Sequence, residues 1–542
     1  MNEPLELLPT RTLYRPDEPV LIDMRGQCPP HAELTVRRLG EPLISCRAGS
    51  GVADLGRLPV GGYGIELTGP DGSEMLARTA VQIAADPDAV LRYGFVVDYR
   101  PGRDPAAVAD NLRRLHLTGV QFYDWAYRHA DLLGGGEVYD DALGQPVSLD
   151  TVRALIQACH RVGSAALGYA AVYAVGRQEW AKWEHDALLT PGGAPYALGD
   201  FLSIVDPAAP DWLGHFTEDL AAAAQRLDFD GFHLDQYGYP KRARRADGSP
   251  VDVARSFSTL IDGVRAALPD ARLVFNNVND FPTWASAKAP QNAVYIEVWP
   301  PHVGLEHLAQ VATRARAEAG GKPVVIAAYQ HVYDSAPAEA ADRATALTMA
   351  TLYSHGATQL LCGEADRILV DPYYVRNHQA EPSTAALLRR WYDFLVEHDE
   401  LLTAPGVAEV TGSFAGEYND DIDVNYPATQ TPVGHLPAAG AVWRRITQAG
   451  DRHVMHLINL AGQRDTLWDA PRDAPADPGP AVLKIRRADT APPRVRVADP
   501  DRQPRLIDLD VTLDGDFAYA RLPAPHLWQL VLIDPIRDTP SR

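Results

Sequence analysis

Between about residues 90 and 400, short apolar runs alternate with longer amphipathic stretches, and this alternation limits the possible folds more than any other feature. The runs are almost continuously apolar, as expected for strands of a parallel sheet that are buried on both faces. Eight such units in about 300 residues predict a (β/α)8 barrel. The predicted strands are Leu91–Tyr99, Gly119–Trp125, Ala165–Ala174, Gly231–Gln236, Leu273–Val278, Val294–Trp299, Val324–Tyr329 and Thr358–Glu364.

Helical periodicity fills most of the intervals between these strands. The predicted helices are Ala106–Leu115, Leu149–Val162, Trp212–Leu227, Val251–Leu268, Leu305–Ala319, Ala338–His355 and Thr384–His398. An open, doubly wound sheet is the alternative arrangement. It is disfavoured because no glycine-rich phosphate loop follows the first strand.

The segments before and after this region are rich in short predicted strands. Residues 1–88 contain short β-rich segments separated by turns such as Pro70-Asp71-Gly72, which is typical of a small β-sandwich. Residues 402–542 contain clear strands at Val454–Leu460 and Trp528–Ile533, with Pro- and Asp-rich loops between them. We therefore expect three domains: a β-sandwich, a barrel over 89–401 and a second, antiparallel β-sandwich.

Net charge limits the kinds of binding partner that we expect, and cysteine content limits the expected zinc and disulfide sites. The net charge of −21 disfavours nucleic acid and anionic membranes, which need a basic surface, and is compatible with a neutral sugar. No Cys-x-x-Cys pair is present, so a structural zinc site is not expected. Cys28 and Cys46 could pair across a small sheet, but a chain with four cysteines is more typically reduced.

The N-terminus lacks both a basic segment and a long apolar run, and no stretch approaches the roughly 20 apolar residues of a membrane span. We expect a cytoplasmic location, or secretion if an export signal has been removed.

The predicted strands end on polar or phenolic side chains. In a (β/α)8 barrel these ends meet at the C-terminal face, where active sites lie. One or two such residues could be helix caps or buried ion-pair partners, but the whole series predicts a polar pocket. The strand-end residues are Asp98, Asp124, Tyr173, Asp235, Asn276, Glu297, Tyr329 and Glu364.

Asp235 and Glu297 are the predicted catalytic pair, because they end strands four and six. Two carboxyl groups flanking a bond are what glycosidic cleavage requires. Gln236 and Tyr237 could donate hydrogen bonds that keep Asp235 ionised. Tyr295 and Trp299 would surround Glu297 with apolar rings that favour its protonated form. The competing interpretation makes Asp235 a helix cap and Glu297 a structural ion-pair partner.

Aromatic residues cluster around Asp124 in the segment Phe122–His129. Rings cover the CH faces of sugars and carboxylates accept their hydroxyls, so Asp124 is predicted to bind a sugar hydroxyl. Asp98, His129, Tyr237, Trp299 and Tyr329 join it as predicted substrate-binding residues, whereas Phe122 and Trp125 are predicted core. Glu364 near Arg367 fits a substrate contact and a structural pair equally well.

The sequence lacks the motifs expected of metal-dependent, cofactor-dependent and esterase chemistry. The histidines show no metal-ligand spacing on a helix, so neither a catalytic metal nor another cofactor is expected. A bound calcium has no ligand-spaced motif behind it. No Gly-x-Ser-x-Gly elbow indicates an esterase.

Five motifs resemble glycoside hydrolase family 66, which comprises dextranases and cycloisomaltooligosaccharide glucanotransferases. The resemblance implies a central barrel between an N-terminal immunoglobulin-like domain and a C-terminal β-sandwich. It further implies Asp235 as nucleophile, Glu297 as acid/base, and Asp124, Tyr173 and Asn276 around the sugar subsites. The motifs are Phe122–His129, Asp230–Asp235, Phe275–Asn279, Tyr295–Trp299 and Gly363-Glu364.

The reaction implied by this resemblance is retaining cleavage of α-1,6-glucan through a covalent glucosyl-enzyme. A transglucosylase that makes linear or cyclic isomaltooligosaccharides is the alternative, and a non-catalytic carbohydrate-binding protein is the alternative of another class. The cyclising members carry an inserted carbohydrate-binding module, and no gap between the motifs has room for one. That difference favours hydrolysis.

Overall fold

The computed structural model describes residues 4–70, 72, 74–416, 419–487 and 491–534. Its centre is a sheet of eight parallel strands that follow one another around the sheet in chain order. The strands are β1 (Tyr93–Val96), β2 (Gly119–Phe122), β3 (Ala165–Ala171), β4 (Gly231–Asp235), β5 (Arg272–Asn276), β6 (Ala293–Glu297), β7 (Val324–Ala327) and β8 (Thr358–Gln359). The predicted eight-stranded parallel barrel is therefore observed.

Helices connect and cover these strands. The helix after β5 has a single turn, too short to show a hydrophobic period in the sequence, and was not predicted. The other seven coincide with the predicted helices to within a few residues. The barrel helices, with the unpredicted one as α5, are α1 (Ala106–Arg114), α2 (Leu149–Arg161), α3 (Pro210–Leu227), α4 (Val253–Ala267), α5 (Thr283–Ser286), α6 (Leu305–Glu318), α7 (Ala338–Ser354) and α8 (Pro382–Glu397).

The barrel closes where the chain beyond β8 meets β1. The amide of Phe95 donates to the carbonyl of Cys362 at 3.2 Å. This approach requires glycine, since a Cβ atom on Gly363 would lie 2.2 Å from the Phe95 nitrogen. Any larger side chain there would push the two strands apart.

All eight strands are shorter than predicted, and the ends of two of them have a clear cause. β3 ends at Ala171 rather than Ala174, because Ala174 already belongs to a separate strand that pairs with Leu202–Ile204. β8 ends at Gln359 rather than Glu364, because the chain folds back and the amide of Leu369 donates to the carbonyl of Leu361. Tyr173 and Glu364 therefore lie beyond the ends of their strands, although Leu360 and Cys362 still bond to β7 and β1.

Small antiparallel sheets decorate the connections that leave the strands. They hold the loops in place by backbone hydrogen bonds. Their strands are Val138–Asp140 with Pro146–Ser148, Ala174–Gly176 with Ala197–Leu198 and Leu202–Ile204, Arg242–Arg244 with Pro250–Asp252, and Arg367–Ile368 with His378–Gln379.

The N-terminal region forms two antiparallel sheets. Leu7, Ile22, Val36, Ile65 and Val81 come from both sheets and pack into one core. The strands are Glu6–Pro9, Leu21–Arg25 and Gly51–Asp54 in one sheet, and Glu41–Arg47, Glu33–Arg38, Gly61–Thr68 and Met75–Ile83 in the other.

The C-terminal region also has two sheets around a shared core, and Trp528 packs on Trp391 of α8 with 5.8 Å between ring centroids. The larger sheet contains Val407–Glu409, Val433–Gly434, Val442–Ala449, Arg452–Asn459, Trp528–Asp534, Arg494–Asp499 and Gln503–Leu509. The smaller contains Ile422–Asn425, Ala481–Arg486, Phe517–Leu522 and Val511–Asp514.

All four cysteines are free, so the less favoured alternative, a pairing of Cys28 with Cys46, is not observed. Cys46 lies exposed and Cys28 half-buried on the N-terminal sheets. Among the described residues, no helix combines the length and apolarity that crossing a membrane requires.

Candidate active site

A cavity of about 250 Å³ opens at the carboxyl ends of the barrel strands. Parallel pairing aligns Ala171 of β3 with Asp235 of β4, and Asn276 of β5 with Tyr295 of β6. The carboxyl ends of β4, β5 and β6 therefore meet at one edge. This alignment brings Asp235, Asn276 and Glu297 into the cavity wall.

A single amide joins the two carboxyl groups. Asn276 Nδ2 donates to Asp235 Oδ1 at 2.7 Å and to Glu297 Oε2 at 2.7 Å. The two oxygens are therefore separated by no more than twice that length. The strand between the two acids thus supplies the donor that holds them together.

Each carboxyl group has a second donor on its other oxygen. The Tyr169 hydroxyl donates to Asp235 Oδ2 at 2.7 Å. The Trp299 indole donates to Glu297 Oε1 at 2.8 Å. All these donors are neutral, and no positively charged group of the described residues contributes to the pKa of either acid.

The two acids differ in their affinity for protons. Burial raises the pKa of Asp235 to about 6, against the lowering effect of Asn276 and Tyr169. Burial, together with the negative charge of Asp235, raises the pKa of Glu297 to about 7. Asp235 is therefore the first to ionise and Glu297 is the one that keeps its proton near neutral pH.

The cavity floor is aromatic. The His233 ring stacks on those of Tyr93 and Tyr169, at centroid distances of 5.9 and 6.3 Å. It makes a T-shaped contact with Tyr295 at 4.8 Å. Burial lowers the pKa of His233 to about 3, so the ring is neutral. This floor supplies the low dielectric that raises the pKa values of the acids.

Five other predicted binding residues also line the cavity: Asp124, His129, Tyr237, Trp299 and Tyr329. Asp124 has a left-handed backbone, with φ of 46°. Burial, and next the charges of Asp141 and Asp235, raise the pKa of Asp124 well above its usual range. Burial and Arg128 lower the pKa of His129 to about 4.

Tyr173 does not line the cavity, contrary to its prediction as a substrate contact. It is fully buried, and its hydroxyl accepts from the Tyr237 amide and donates to the Tyr239 carbonyl, both at 2.8 Å. Gln236 lines the cavity, but its side chain donates to the carbonyls of Asn276 and Phe281, and only its backbone amide acts to lower the pKa of Asp235. Both residues hold the loop after β4.

Asp98 and Glu364, also predicted substrate contacts, line a second cavity of about 500 Å³ instead. Glu364 accepts from the amides of Val97 and Asp98 and pairs with Arg103. Arg100 donates to both oxygens of Asp98, at 2.9 and 2.6 Å. Both carboxylates are thus fully engaged in the structure of the loops after β1 and β8.

Sequence reasoning missed several residues of the cavity wall, among them Tyr123, Tyr169, His233 and Tyr374. Tyr123 stacks on Tyr374 at 4.1 Å. Tyr169 could have been found, because it lies two residues before the observed end of β3 on the same face as that end. Tyr374 could not, because it comes from a loop.

No group of three or more His, Cys, Asp or Glu side chains suited to a metal ion occurs in the described ranges.

A barrel that presents two adjacent carboxyl groups, one poised to hold a proton, defines a glycosidase or transglycosylase. Residues 58–532 match the family described as glycosyl hydrolase family 66. The chain belongs to that family, as its motifs predicted.

Two curated relatives are cycloisomaltooligosaccharide glucanotransferases of Niallia circulans, 27% and 26% identical over 286 and 288 residues. The matched stretches cover 48% of this chain but only 29% and 30% of the relatives. The chain thus matches less than a third of either relative's length.

Among solved structures, a cycloisomaltooligosaccharide glucanotransferase of Paenibacillus sp., complexed with cycloisomaltoheptaose, superposes with a TM-score of 0.85. It is 17% identical, and the match covers 97% of this chain and 100% of that one. An α-amylase of Geobacillus thermoleovorans gives a TM-score of 0.53 at 11% identity, over 83% and 99% of the two chains. Both likenesses concern the fold.

Proposed function

We propose that this protein is a retaining enzyme that cleaves α-1,6-linked glucose chains, with Asp235 as nucleophile and Glu297 as acid/base. The observation that carries the proposal is the amide of Asn276, which donates to both carboxyl groups. It limits their nearest oxygens to a separation that fits the roughly 5–5.5 Å of retaining enzymes and is shorter than the roughly 6.5–9.5 Å of inverting ones.

In the first step, Asp235 attacks the anomeric carbon and the bond to the leaving O6 breaks. Glu297 transfers its proton to that oxygen. The hydrogen bonds from Tyr169 and Asn276 favour the ionised nucleophile, while burial and the nearby charge favour the protonated acid. The product of this step is a glucosyl ester on Asp235 with inverted configuration.

In the second step, Glu297 is a carboxylate and accepts a proton from the incoming hydroxyl. That oxygen attacks the anomeric carbon and releases Asp235, which restores the original configuration. Asp124, His129, Tyr237 and Tyr329 line the same cavity and are proposed to contact the bound glucose.

The incoming hydroxyl decides the outcome. Water gives hydrolysis, which we propose as the main reaction, and a sugar 6-hydroxyl gives transglucosylation. The names of the relatives favour the second candidate, since both are glucanotransferases. The two reactions share the first step and every residue assigned to it.

Product analysis on dextran and isomaltotetraose tests the proposal. Hydrolysis predicts that reducing ends rise in step with the bonds cleaved, and transglucosylation predicts products longer than the substrate or without a reducing end. A protein that binds these glucans without converting them would be a carbohydrate-binding protein and would refute the proposal.

The immunoglobulin-like character of residues 1–88, the boundaries after residues 88 and 401, and the cytoplasmic location remain predictions. The cores formed within each pair of flanking sheets support the proposed three-domain division.

A further inference from the structure

Trp284 is unusual because its side chain lies mostly in solvent. Its exposed fraction is 54%, and no other Phe, Tyr or Trp side chain of the described residues is classed as exposed. A large ring left in water loses the stabilisation that burial would provide. By contrast, the side chains of Thr283 and Ser286 on the same helix are buried.

The segment that carries Trp284 is fixed to the catalytic strands. Trp284 lies on α5, in the connection from Asn276 to the strand of Glu297. The Asn277 side chain donates to the Tyr295 carbonyl at 2.8 Å, and Ser286 donates to Asn277 Oδ1 at 2.5 Å. The Trp299 amide donates to Asn279 Oδ1 at 2.8 Å. These bonds fix the position of the helix that carries Trp284 relative to both acids.

Contacts on one side place the indole beside the loop that follows β4. Its ring meets that of Phe281 at a centroid distance of 5.6 Å and an angle of 63°. Phe281 is buried, and its carbonyl accepts from Gln236, the residue after Asp235. Lys241 of the same loop lies 5.0 Å above the Phe281 ring. One side of Trp284 is thus supported at the outer rim of the barrel mouth, and the other is open.

A glucose unit presents apolar CH faces that stack on an open aromatic ring. A chain longer than the catalytic cavity must leave it across the rim. We propose that Trp284 is a stacking platform for a glucose unit of a long α-1,6-glucan outside the catalytic cavity. This inference rests on the proposed function and adds a specificity for chain length to it.

The test compares Trp284→Ala and Trp284→Phe with the wild type on isomaltotriose, isomaltoheptaose and dextran. Trp284→Ala should lower kcat/KM on dextran about fivefold, given the energies typical of aromatic contacts, and leave isomaltotriose within about twofold. Trp284→Phe should retain most of the activity on dextran. The control is Val303→Ala, which truncates another exposed apolar side chain, on the loop after β6, and should change none of the rates.

An equal loss on all three substrates, or none on dextran, would overturn the platform. Retardation of each variant in a dextran-containing native gel separates the inference from the proposed function. A wild type that is retarded but inactive, with retardation lost in Trp284→Ala, would refute the function and support the platform. A wild type that is neither retarded nor active would refute both.

Discussion

Two cavities lie at the same face of the barrel, and both contain carboxylates from strand ends, yet their chemistry differs. In the first, Asp235 and Glu297 accept hydrogen bonds from neutral groups, among them the side chains of Asn276, Tyr169 and Trp299. In the second, Asp98 and Glu364 are bound by Arg100 and Arg103.

The partners account for the difference in proton affinity. Burial raises the pKa of both acids in the first cavity. For Asp98, burial also acts to raise the pKa, but the hydrogen bonds of Arg100 together with the charges of Arg103 and Arg100 outweigh it and lower the pKa. A strand-end carboxylate is therefore suited to proton transfer only where its donors are neutral.

The largest expected effect is the loss of turnover in Asp235→Asn. An amide cannot form the glucosyl ester, so kcat should fall on the order of 10⁴-fold or more. Asp98→Asn, the same substitution in the second cavity, should leave kcat within about threefold because Asp98 lies outside the catalytic cavity. Steady-state kinetics on dextran measures both, and equal losses would remove the distinction between the cavities.

Glu364→Ala should lower the stability of the protein rather than act on the catalytic acids directly. Its carboxylate is buried, pairs with Arg103 and accepts two backbone amides. Removing it leaves two amides without a partner and the mostly buried Arg103 guanidinium with only the Asp98 carbonyl as acceptor, which costs about 3–5 kcal/mol of unfolding free energy. Urea denaturation measures this, with Asp98→Asn as the milder control. Unchanged stability would contradict the structural role.

Tyr169→Phe should lower kcat/KM about tenfold, since a hydrogen bond to a charged group contributes about 1.5–3 kcal/mol. The hydroxyl lowers the pKa of Asp235, so its loss should also move the acidic limb of the pH profile to higher pH. Tyr173→Phe is the matched control in the same strand region. It should destabilise the loop after β4 and leave the acidic limb in place, and a shifted limb in Tyr173→Phe would contradict these assignments.

The pH dependence of the wild type should be a narrow bell. Activity requires ionised Asp235, so kcat/KM should fall as pH drops below about 6. It also requires protonated Glu297, so kcat/KM should fall as pH rises above about 7. The limbs belong to the pair as a whole. Glu297→Gln should remove the alkaline limb, and its persistence would assign it to another group.

The barrel and the catalytic candidates could be predicted because they follow from local pattern. Apolar runs mark the buried strands, and a carboxylate at the end of such a run must lie at the barrel mouth. Asp235 and Glu297 needed only that argument. The single turn of α5 could not be predicted, since four residues carry no helical period.

Correct prediction of the remaining binding residues depended on knowing where each strand ends. Tyr169 and Tyr173 share a face of β3, but the strand ends between them, so the first contacts Asp235 and the second holds a loop. Glu364 was misplaced because the chain turns back after Gln359 and brings it to Arg103. Tertiary hydrogen bonds, which a local pattern does not contain, determine both ends.

The most direct test of the roles of Asp235 and Glu297 is the anomer formed when azide replaces the lost side chain. With α-isomaltosyl fluoride as donor, no acid is needed for departure, so Glu297→Ala still forms the ester and azide should release the α-azide. In Asp235→Ala, azide occupies the nucleophile's place and should give the β-azide. Proton NMR of the products distinguishes them. The same anomer from both variants, or the reverse pair, would contradict the assignment.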